Sequence, residues 1–247
     1  VRLADVVVAW NVFRHFYPYW KDVHIDWDAR LQPLLERALN TTATRTAHLD
    51  EMRLLVAELN DGHGYVNDPL LSRVPAVLPL QFRVLTEGLV VSASRDSTMP
   101  VGSLVTMING TPAATRIREG MRLASGTTQW KRTRAEREIQ LCPADAAVNF
   151  TIEPPTGPAR NATVPCTRSQ TRAVEVRPDS ITELEPGIWY VDLTRVLAAQ
   201  LRPMLERLGK ARGVVFDVRG YPTDAGAAVL PPLIVPAASN VTSVPYG

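Results

Sequence analysis

The last third of the chain contains a strand, a helix and a second strand in that order, and this order restricts the fold more than any other feature. Residues 188–193 read as an apolar strand, the leucines between 195 and 210 recur at helical spacing, and 214–218 is almost continuously apolar. Two strands joined through a helix pair in parallel, and such strands are buried on both faces. The sequence therefore predicts an α/β layer here, followed by a crossover helix over 224–235.

The first 60 or so residues are predicted to form a small helical unit. Apolar side chains recur at helical spacing over 3–19, 27–39 and 47–59, and Pro18 ends the first of these helices. The aromatic residues between positions 10 and 20 are interpreted as core rather than as a ligand cage.

The pattern changes to strands after the helical unit. Alternating apolar residues favour strands over 78–94 and near 102–108, 147–153 and 161–166, and an Asn-Gly turn follows Ile108. A short helix is predicted over 113–124, and a helical or irregular stretch over 128–139. A segment rich in charge and proline, 169–186, is predicted to be a linker. The fold class expected is α+β with more than one domain.

Composition narrows the possible partners. The 247 residues carry a formal charge of only +2, which gives no reason to expect nucleic acid as a partner. No run of 18 apolar residues exists, so no membrane span is predicted. The chain begins at Val1 without an initiator Met or a signal-peptide pattern, which indicates a processed or truncated terminus.

The two cysteines, Cys142 and Cys166, flank a polar segment that reads as strand, loop and strand. This spacing is compatible with a disulfide in a protein of an exporting compartment. Two separate thiols are the alternative that the spacing leaves open.

A histidine lies between two glycines in the stretch from Asp61 to Gly64. His63 follows the third helix, and an exposed histidine in a tight turn is suited to general-base chemistry near neutral pH. The alternative is a histidine that only caps the helix or binds a carbonyl. Asp61 is expected to be a turn residue, because two positions of separation rarely orient an imidazole. No second ligand stands at metal-binding spacing from His63, so neither a metal nor another cofactor is predicted.

Five strings, taken in their order and spacing, resemble the C-terminal processing, or tail-specific, serine peptidases. The resemblance is to the branch of the tricorn core protease and the retinoid-binding-protein-like repeats. The strings lie at 10–20, 61–63, 101–112, 187–191 and 216–220. The resemblance implies an N-terminal helical cap over 1–68, a PDZ-like module over 75–168, and the first part of a ClpP/crotonase-type α/β core over 185–247.

The same resemblance implies hydrolysis of peptide bonds by a serine nucleophile without a metal. His63 matches the general base, and the backbone amides at Gly220 and Tyr221 match part of the oxyanion hole. Thr223 and Asp224 stand where the family has a glycine pair, which puts the exact amide donor in doubt.

The family's nucleophilic serine and a later acidic residue have no match before Gly247. The resemblance therefore implies an N-terminal portion that is inactive alone, whose partners are a polypeptide substrate and the missing C-terminal part. Ser125, which stands beside a glycine, is interpreted as part of a loop in the PDZ-like module rather than as a nucleophile.

The PDZ-like stretch suggests its own binding chemistry. In such a module a peptide adds as a β-strand and loop amides capture its C-terminal carboxylate, here at Val101 and Gly102. Two non-catalytic alternatives stay open: a peptide-binding scaffold, and a binder of apolar ligands by analogy with the retinoid-binding branch. The family and the possible Cys142–Cys166 bond suggest a periplasmic or extracellular location.

Overall fold

The chain divides into two units in a computed structural model that describes residues 2–71, 76–168, 173 and 175–227. The first unit is Val1–Glu175 and the second is Val176–Gly247. The division falls inside the predicted linker, 169–186. The finer domain limits stay predictions, and most of the predicted crossover helix at 224–235 lies outside the described residues.

Three helices open the first unit, close to where helical spacing predicts them. They are α1 (Arg2–Phe16), α2 (Leu31–Asn40) and α3 (Arg45–Ala57). Helix α1 ends ahead of Pro18, and the Thr44 side chain caps α3 by accepting a hydrogen bond from the Ala47 amide.

The aromatic residues of this region form a core, as predicted. The indole N–H of Trp10 donates to the carbonyl of Trp27 at 2.9 Å, and the Trp27 indole N–H donates to the Trp10 carbonyl at 3.0 Å. Both polar groups are thus satisfied where they are buried. The edge-to-face rings of Phe13, Tyr17 and Trp20 extend this cluster.

An antiparallel sheet with two helices forms the rest of the first unit. The strands are β1 (Ala76–Val77), β2 (Leu80–Val84), β3 (Leu89–Ser94), β4 (Leu104–Ile108), β5 (Thr111–Pro112), β6 (Leu141–Cys142), β7 (Ala147–Glu153) and β8 (Arg160–Pro165). The sheet has the strand order β2-β3-β4-β7-β8, with β5 paired to β4, and β1 pairs separately with β6. The helices are α4 (Ala113–Arg122) and α5 (Thr128–Ile139). The stretch over 128–139 is therefore helical.

A buried carboxylate attaches α5 to strand β2. Glu136 of α5 accepts a hydrogen bond from the Val84 amide at 2.8 Å and pairs with the Arg83 guanidinium at 3.2 Å. Arg83 also pairs with Glu175 at 2.8 Å. The Glu136 carboxylate satisfies a strand amide that would otherwise need another partner, and it holds α5 in position along β2.

A disulfide joins Cys142 of β6 to Cys166, which follows β8, with the two Cα atoms 6.2 Å apart. It closes a loop that contains β7 and β8. Cys142 is buried in the core of the sheet, and Cys166 packs against that core. The bond therefore ties the short β1–β6 ribbon to the main sheet.

The second unit contains the predicted parallel pair. Strands β10 (Ile188–Asp192) and β11 (Gly213–Asp217) pair in parallel with Ile188 opposite Gly213, which confirms the prediction. Burial on both faces is wrong for β11, since the Val215 side chain is 49% exposed. The linker prediction is wrong at β9 (Ile181–Glu185), because this segment pairs antiparallel with β10 despite its charge.

The connection between β10 and β11 is broken into short pieces rather than forming one helix over 195–210. It comprises α6 (Ala198–Leu201), a 3-10 turn at Arg202–Met204, and α7 (Leu205–Gly209). Pro203 explains the break, because it has no amide hydrogen to continue an α-helix. Leu201 and Leu208 are still buried, so these two leucines pack in the core as their spacing predicts.

Two buried carboxylates, Asp192 and Asp217, lie at the ends of the parallel strands β10 and β11. Asp192 accepts from the amide and hydroxyl of Thr194 at 2.9 and 2.6 Å, and from Arg195 and Arg177 at 2.6 and 3.1 Å. Burial alone raises the pKa of Asp192, but these hydrogen bonds outweigh it and bring the pKa down to about 2.

Replacing Asp192 by Asn should lower the free energy of unfolding by roughly 3 kcal/mol near neutral pH, because two guanidinium groups lose a buried partner. A depressed folded-state pKa gives stability that is present above the unfolded pKa, about 3.9, and is lost as pH falls toward the folded value. The Asn variant should therefore lose less additional stability than the unaltered chain between about pH 4 and pH 2. Urea unfolding across this range measures both effects.

Asp179→Asn provides the control, because Asp179 is exposed and is also a carboxylate of the second unit. It should change neither the neutral stability nor the acid dependence. An acid dependence in Asp192→Asn equal to that of the unaltered chain would show that Asp192 is not the titrating group.

Candidate functional site

The sequence from Asn60 to Gly64 forms a tight turn directly after helix α3. Asn60 has a left-handed backbone with φ of 52°, which asparagine tolerates better than most residues. The Gly64 amide donates to the Asp61 carbonyl at 2.9 Å. The His63 amide donates to the Asp61 side chain at 2.9 Å, so Asp61 closes the turn through both its main chain and its carboxylate.

The same carboxylate oxygen contacts the imidazole. The distance from His63 Nδ1 to Asp61 Oδ1 is 3.0 Å. The expectation that Asp61 is only a turn residue is therefore wrong, because the turn curls the His63 side chain back onto it. With the carboxylate accepting, the proton of a neutral imidazole belongs on Nδ1, and Nε2 carries the lone pair.

The rest of the His63 ring is open to solvent, with 98% of the side chain exposed. An imidazole that takes a proton from another group needs an accessible ring nitrogen, and this exposure provides one. Asp61 is held from behind, since the Tyr17 hydroxyl donates to its other oxygen at 3.2 Å. Tyr17 was not recognised from the sequence as a site residue; it lies 44 positions away and carries no local signal.

The pKa values of Asp61 and Tyr17 are shifted in the directions that these hydrogen bonds favour. The His63 amide, followed by the His63 ring and the Tyr17 hydroxyl, lowers the pKa of Asp61 against an opposing effect of burial. Burial, and then the Asp61 charge, raises the pKa of Tyr17 to about 12. Asp61 therefore stays ionised and Tyr17 stays protonated at neutral pH.

Two glycines and an indole fix the position of the turn. Gly126 has φ of +120°, and a Cβ at this position would lie 2.6 Å from Trp130 Cδ1 and 3.0 Å from Gly62 Cα. A Cβ on Gly64 would lie 2.8 Å from a methyl group of Val56. The turn therefore packs directly on the loop that precedes α5, with no space for side chains between them.

A pocket of about 410 Å³ lies beside the turn, within the first unit. Gly62 and Gly64 contribute to its wall, opposite residues of α4 and α5. Ser125 also lines it; its side chain is buried, and its hydroxyl finds no hydrogen-bond partner among the described residues. This agrees with a loop position for Ser125.

The residues predicted for the oxyanion hole lie in the second unit. Gly220 and Tyr221 follow β11, and the Tyr221 side chain is 95% exposed. Asp217 holds the start of this loop, accepting from the Arg219 amide and, at 2.6 Å, from the Tyr190 hydroxyl. The Arg219 guanidinium, above all, keeps the pKa of Asp217 well below its usual range.

Thr223 and Asp224, which replace the family's glycine pair, connect this loop to the segment after β10. The Thr223 amide donates to the Leu193 carbonyl at 2.8 Å, and Asp224 accepts from the Ala198 amide at 3.0 Å. The Asp224 bond needs a side-chain acceptor that glycine lacks, whereas the Thr223 bond uses a backbone amide that glycine also has. The amides of Gly220 and Tyr221 have no acceptor within the described residues.

The loop predicted to capture a peptide carboxylate uses one of its amides internally. Gly102, with φ of +87°, donates its amide hydrogen to the Val91 carbonyl at 2.8 Å. The Val101 side chain is exposed. Peptide binding at Val101 and Gly102 stays a prediction, as does the PDZ-like assignment of this sheet.

In the part of the chain that the structure describes, no group of three or more His, Cys, Asp or Glu side chains is placed to hold a metal ion. Among the same residues, no helix has the length and apolar character needed to span a bilayer.

Comparison with known proteins finds likeness in fold but not in sequence. No family model matches the chain, and no curated protein matches it. The structure of mature CPAF complexed with lactacystin aligns with 66% of this chain and 34% of its own, at 14% identity and a TM-score of 0.53. A CPAF point mutant aligns with 66% of this chain and 33% of its own, at 16% identity and a TM-score of 0.53.

The photosystem II D1 C-terminal processing protease aligns with 88% of this chain and 60% of its own, at 15% identity and a TM-score of 0.40. The chain spans about a third of the length of the CPAF chains. The likeness to CPAF is one of fold alone, and an α+β fold of more than one domain is consistent with it. Membership of the tail-specific peptidases, and the branch within them, stay predictions.

Gly126→Ala should lower the free energy of unfolding by about 2 kcal/mol or more, because a methyl group would press on Trp130 and Gly62 from a strained backbone. Gly157→Ala is the matched control. Gly157 also has positive φ, at +93°, but a Cβ there meets nothing within 4 Å. Its cost should stay near 1 kcal/mol, and urea unfolding compares the two. Equal costs would show that the turn is not packed as described.

Tyr17→Phe should raise the pKa of Asp61, because one of the hydrogen bonds that lower it is removed. The charged form of Asp61 stabilises the turn above its unfolded pKa, and that contribution is lost as pH falls through the folded value. In Tyr17→Phe this loss should begin at higher pH. Carboxyl NMR shifts during an acid titration measure the change. Tyr19→Phe, which removes an exposed neighbouring hydroxyl, should leave Asp61 unaffected.

Proposed function

We propose that this chain is the N-terminal part of a serine-type endopeptidase in which His63 is the general base. Asp61 orients the imidazole and stabilises its protonated form. The nucleophilic serine is supplied by the C-terminal part of the same protein, beyond Gly247. Support comes from the likeness in fold to CPAF, of which this chain matches about a third, and from the resemblance of its motifs to the tail-specific serine peptidases.

One observation carries the proposal: Asp61 holds Nδ1 of His63 while the rest of the ring is exposed. In the first step Nε2 removes the proton of the serine hydroxyl as the serine oxygen bonds to the scissile carbonyl carbon. The carbonyl π-electrons move to the oxygen. When the C–N bond breaks, the imidazolium returns that proton to the leaving amine, and an acyl-enzyme remains for hydrolysis.

The developing oxyanion needs donors, and we assign them to the amides of Gly220 and Tyr221. Backbone amides serve this purpose well because a fixed loop presents them without reorganisation. The hydrogen bonds of Asp217, Thr223 and Asp224 would supply that fixity.

A second histidine–aspartate pair shows that the contact between the two side chains does not by itself identify a base. His48 Nε2 lies 3.0 Å from Asp5 Oδ2, the same distance as in the His63 pair. Its side chain is only 22% exposed, and its Nδ1 is buried without a partner among the described residues. The contact alone therefore does not make a candidate base; the glycine turn and the exposure do.

The test is labelling by a fluorophosphonate probe on the native-length protein. His63→Ala should abolish labelling, and Asp61→Asn should slow it by a factor on the order of 10³ to 10⁴, since a triad carboxylate fixes the tautomer of its histidine. His48→Ala should label at the unaltered rate, provided that circular dichroism shows it folded. This 247-residue chain alone should not label.

Labelling that survives in folded His63→Ala would remove His63 from the mechanism. If the folded native-length protein does not label at all, the peptidase proposal is wrong. A peptide-binding scaffold then becomes the better proposal, and the pocket beside the turn is the observation that favours it.

We also propose a periplasmic or extracellular location. The Cys142–Cys166 disulfide is the observation that supports it, because such bonds persist in oxidising compartments and are rare in the cytosol.

A further inference from the structure

The pocket beside the His63 turn combines basic side chains with an apolar wall. Four arginines line it, Arg53, Arg116, Arg122 and Arg134, together with three acids, Asp50, Glu119 and Glu138. Its volume of about 410 Å³ suits one or two amino-acid residues of a bound chain.

The arginines differ in how they are neutralised. Arg53 contacts Asp50 at 3.5 Å, and Arg116 contacts Glu119 at 3.6 Å. Arg122 and Arg134 make no ion pair within the described residues. Arg134 is half-buried, so its guanidinium is partly shielded from water, and an anion that reaches it gains more than at an exposed site.

The pocket wall is apolar near these charges. Leu123, Ala124, Ala135 and Ile139 contribute aliphatic surface, and Trp130 contributes its indole ring. A ligand that fits both surfaces has a short aliphatic stem that ends in a planar anion, which is the chemistry of a glutamate or aspartate side chain. Guanidinium groups bind carboxylates with two parallel hydrogen bonds, which rewards this shape.

The pocket lies next to His63, the proposed general base. Gly62 and Gly64 line it, and they are the residues on either side of His63. A polypeptide that presents its scissile bond to His63 therefore passes close to the pocket. We propose that the pocket binds an acidic side chain near the scissile bond and so selects acidic substrates; this inference rests on the proposed function.

Glu138 provides an internal check on the sign of the interaction. It lines the same pocket and lies one helical turn after Arg134. A bound carboxylate would be repelled by it, since like charges disfavour each other at short range. Its removal should therefore strengthen binding of an acidic ligand, whereas loss of an arginine should weaken it.

The experiment is an NMR titration of this chain with acetylated, amidated pentapeptides of alanine that carry glutamate, glutamine or lysine at the centre. Shifts of the Gly62, Gly64 and Gly120 amides report binding at the pocket. The glutamate peptide should bind about five- to tenfold more tightly than the glutamine peptide. The lysine peptide should bind more weakly than either.

Variants test the assignment. Arg134→Gln and Arg122→Gln should each reduce the preference for glutamate, and Glu138→Gln should increase it. Arg132→Gln is the matched control, since it removes an arginine from the same helix but outside the pocket. It should leave the preference unchanged. Glutarate, added as a free dicarboxylate, should bind more weakly than the glutamate peptide.

Equal affinity for the three peptides, or glutamate-dependent shifts away from the pocket, would overturn the inference. Glutarate binding as tight as the peptide would also overturn it, in favour of a small-molecule site. Because binding needs no serine nucleophile, its outcome is independent of fluorophosphonate labelling. Selective binding without labelling would retain the pocket and reject the peptidase, whereas labelling without selectivity would do the reverse.

Discussion

The carboxylate of Asp61 connects three parts of the first unit. One oxygen accepts from the amide and ring of His63, and the other accepts from the hydroxyl of Tyr17 near the end of α1. A single ionised group therefore closes the turn, orients the imidazole and attaches both to the aromatic core. Loss of its charge would weaken all three at once, which is why its lowered pKa matters for the site.

Close backbone packing makes this arrangement possible. Gly62 and Gly126 approach so tightly that a methyl group on Gly126 would overlap both Gly62 and Trp130. Helix α5 is in turn fixed to the sheet by Glu136, which binds the Val84 amide and Arg83. The exposed histidine thus rests on a rigid support, and the basic pocket is formed by the same support. The proposed base and the proposed specificity pocket therefore depend on the same packing.

In the second unit, hydrogen-bonded carboxylates also order the loops that follow them. Asp192 and Asp217 end the parallel strands β10 and β11, and arginines and hydroxyl groups satisfy both. Each carboxylate orders the loop that follows its strand. The loop after β11 carries Gly220 and Tyr221, so the amides proposed for the oxyanion hole depend on a buried charge that is itself fully hydrogen-bonded.

Sequence periodicity found the helices of the first unit and the strands of the main sheet because their apolar spacing matches the face that each one buries. It failed at β9, whose charged residues favour a linker although backbone pairing with β10 places them in a strand. It also failed at the connection over 195–210, where the leucine spacing persisted but Pro203 broke the hydrogen bonding. In both cases backbone hydrogen bonds decided the outcome, and side-chain pattern does not report them.

The sequence by itself determined most of the helical and strand segments, the parallel pair and the glycine-flanked histidine, since each follows from a pattern of residues close together in the chain. Only the tertiary structure decided that Asp61 contacts the His63 ring, that Tyr17 supports it from 44 positions away, and that arginines of three helices meet beside it. Apart from the Asp61–His63 contact, these contacts join residues far apart in sequence, which the packing of α1, α3, α4 and α5 brings together. Packing is a property of the whole unit, and no local pattern contains it.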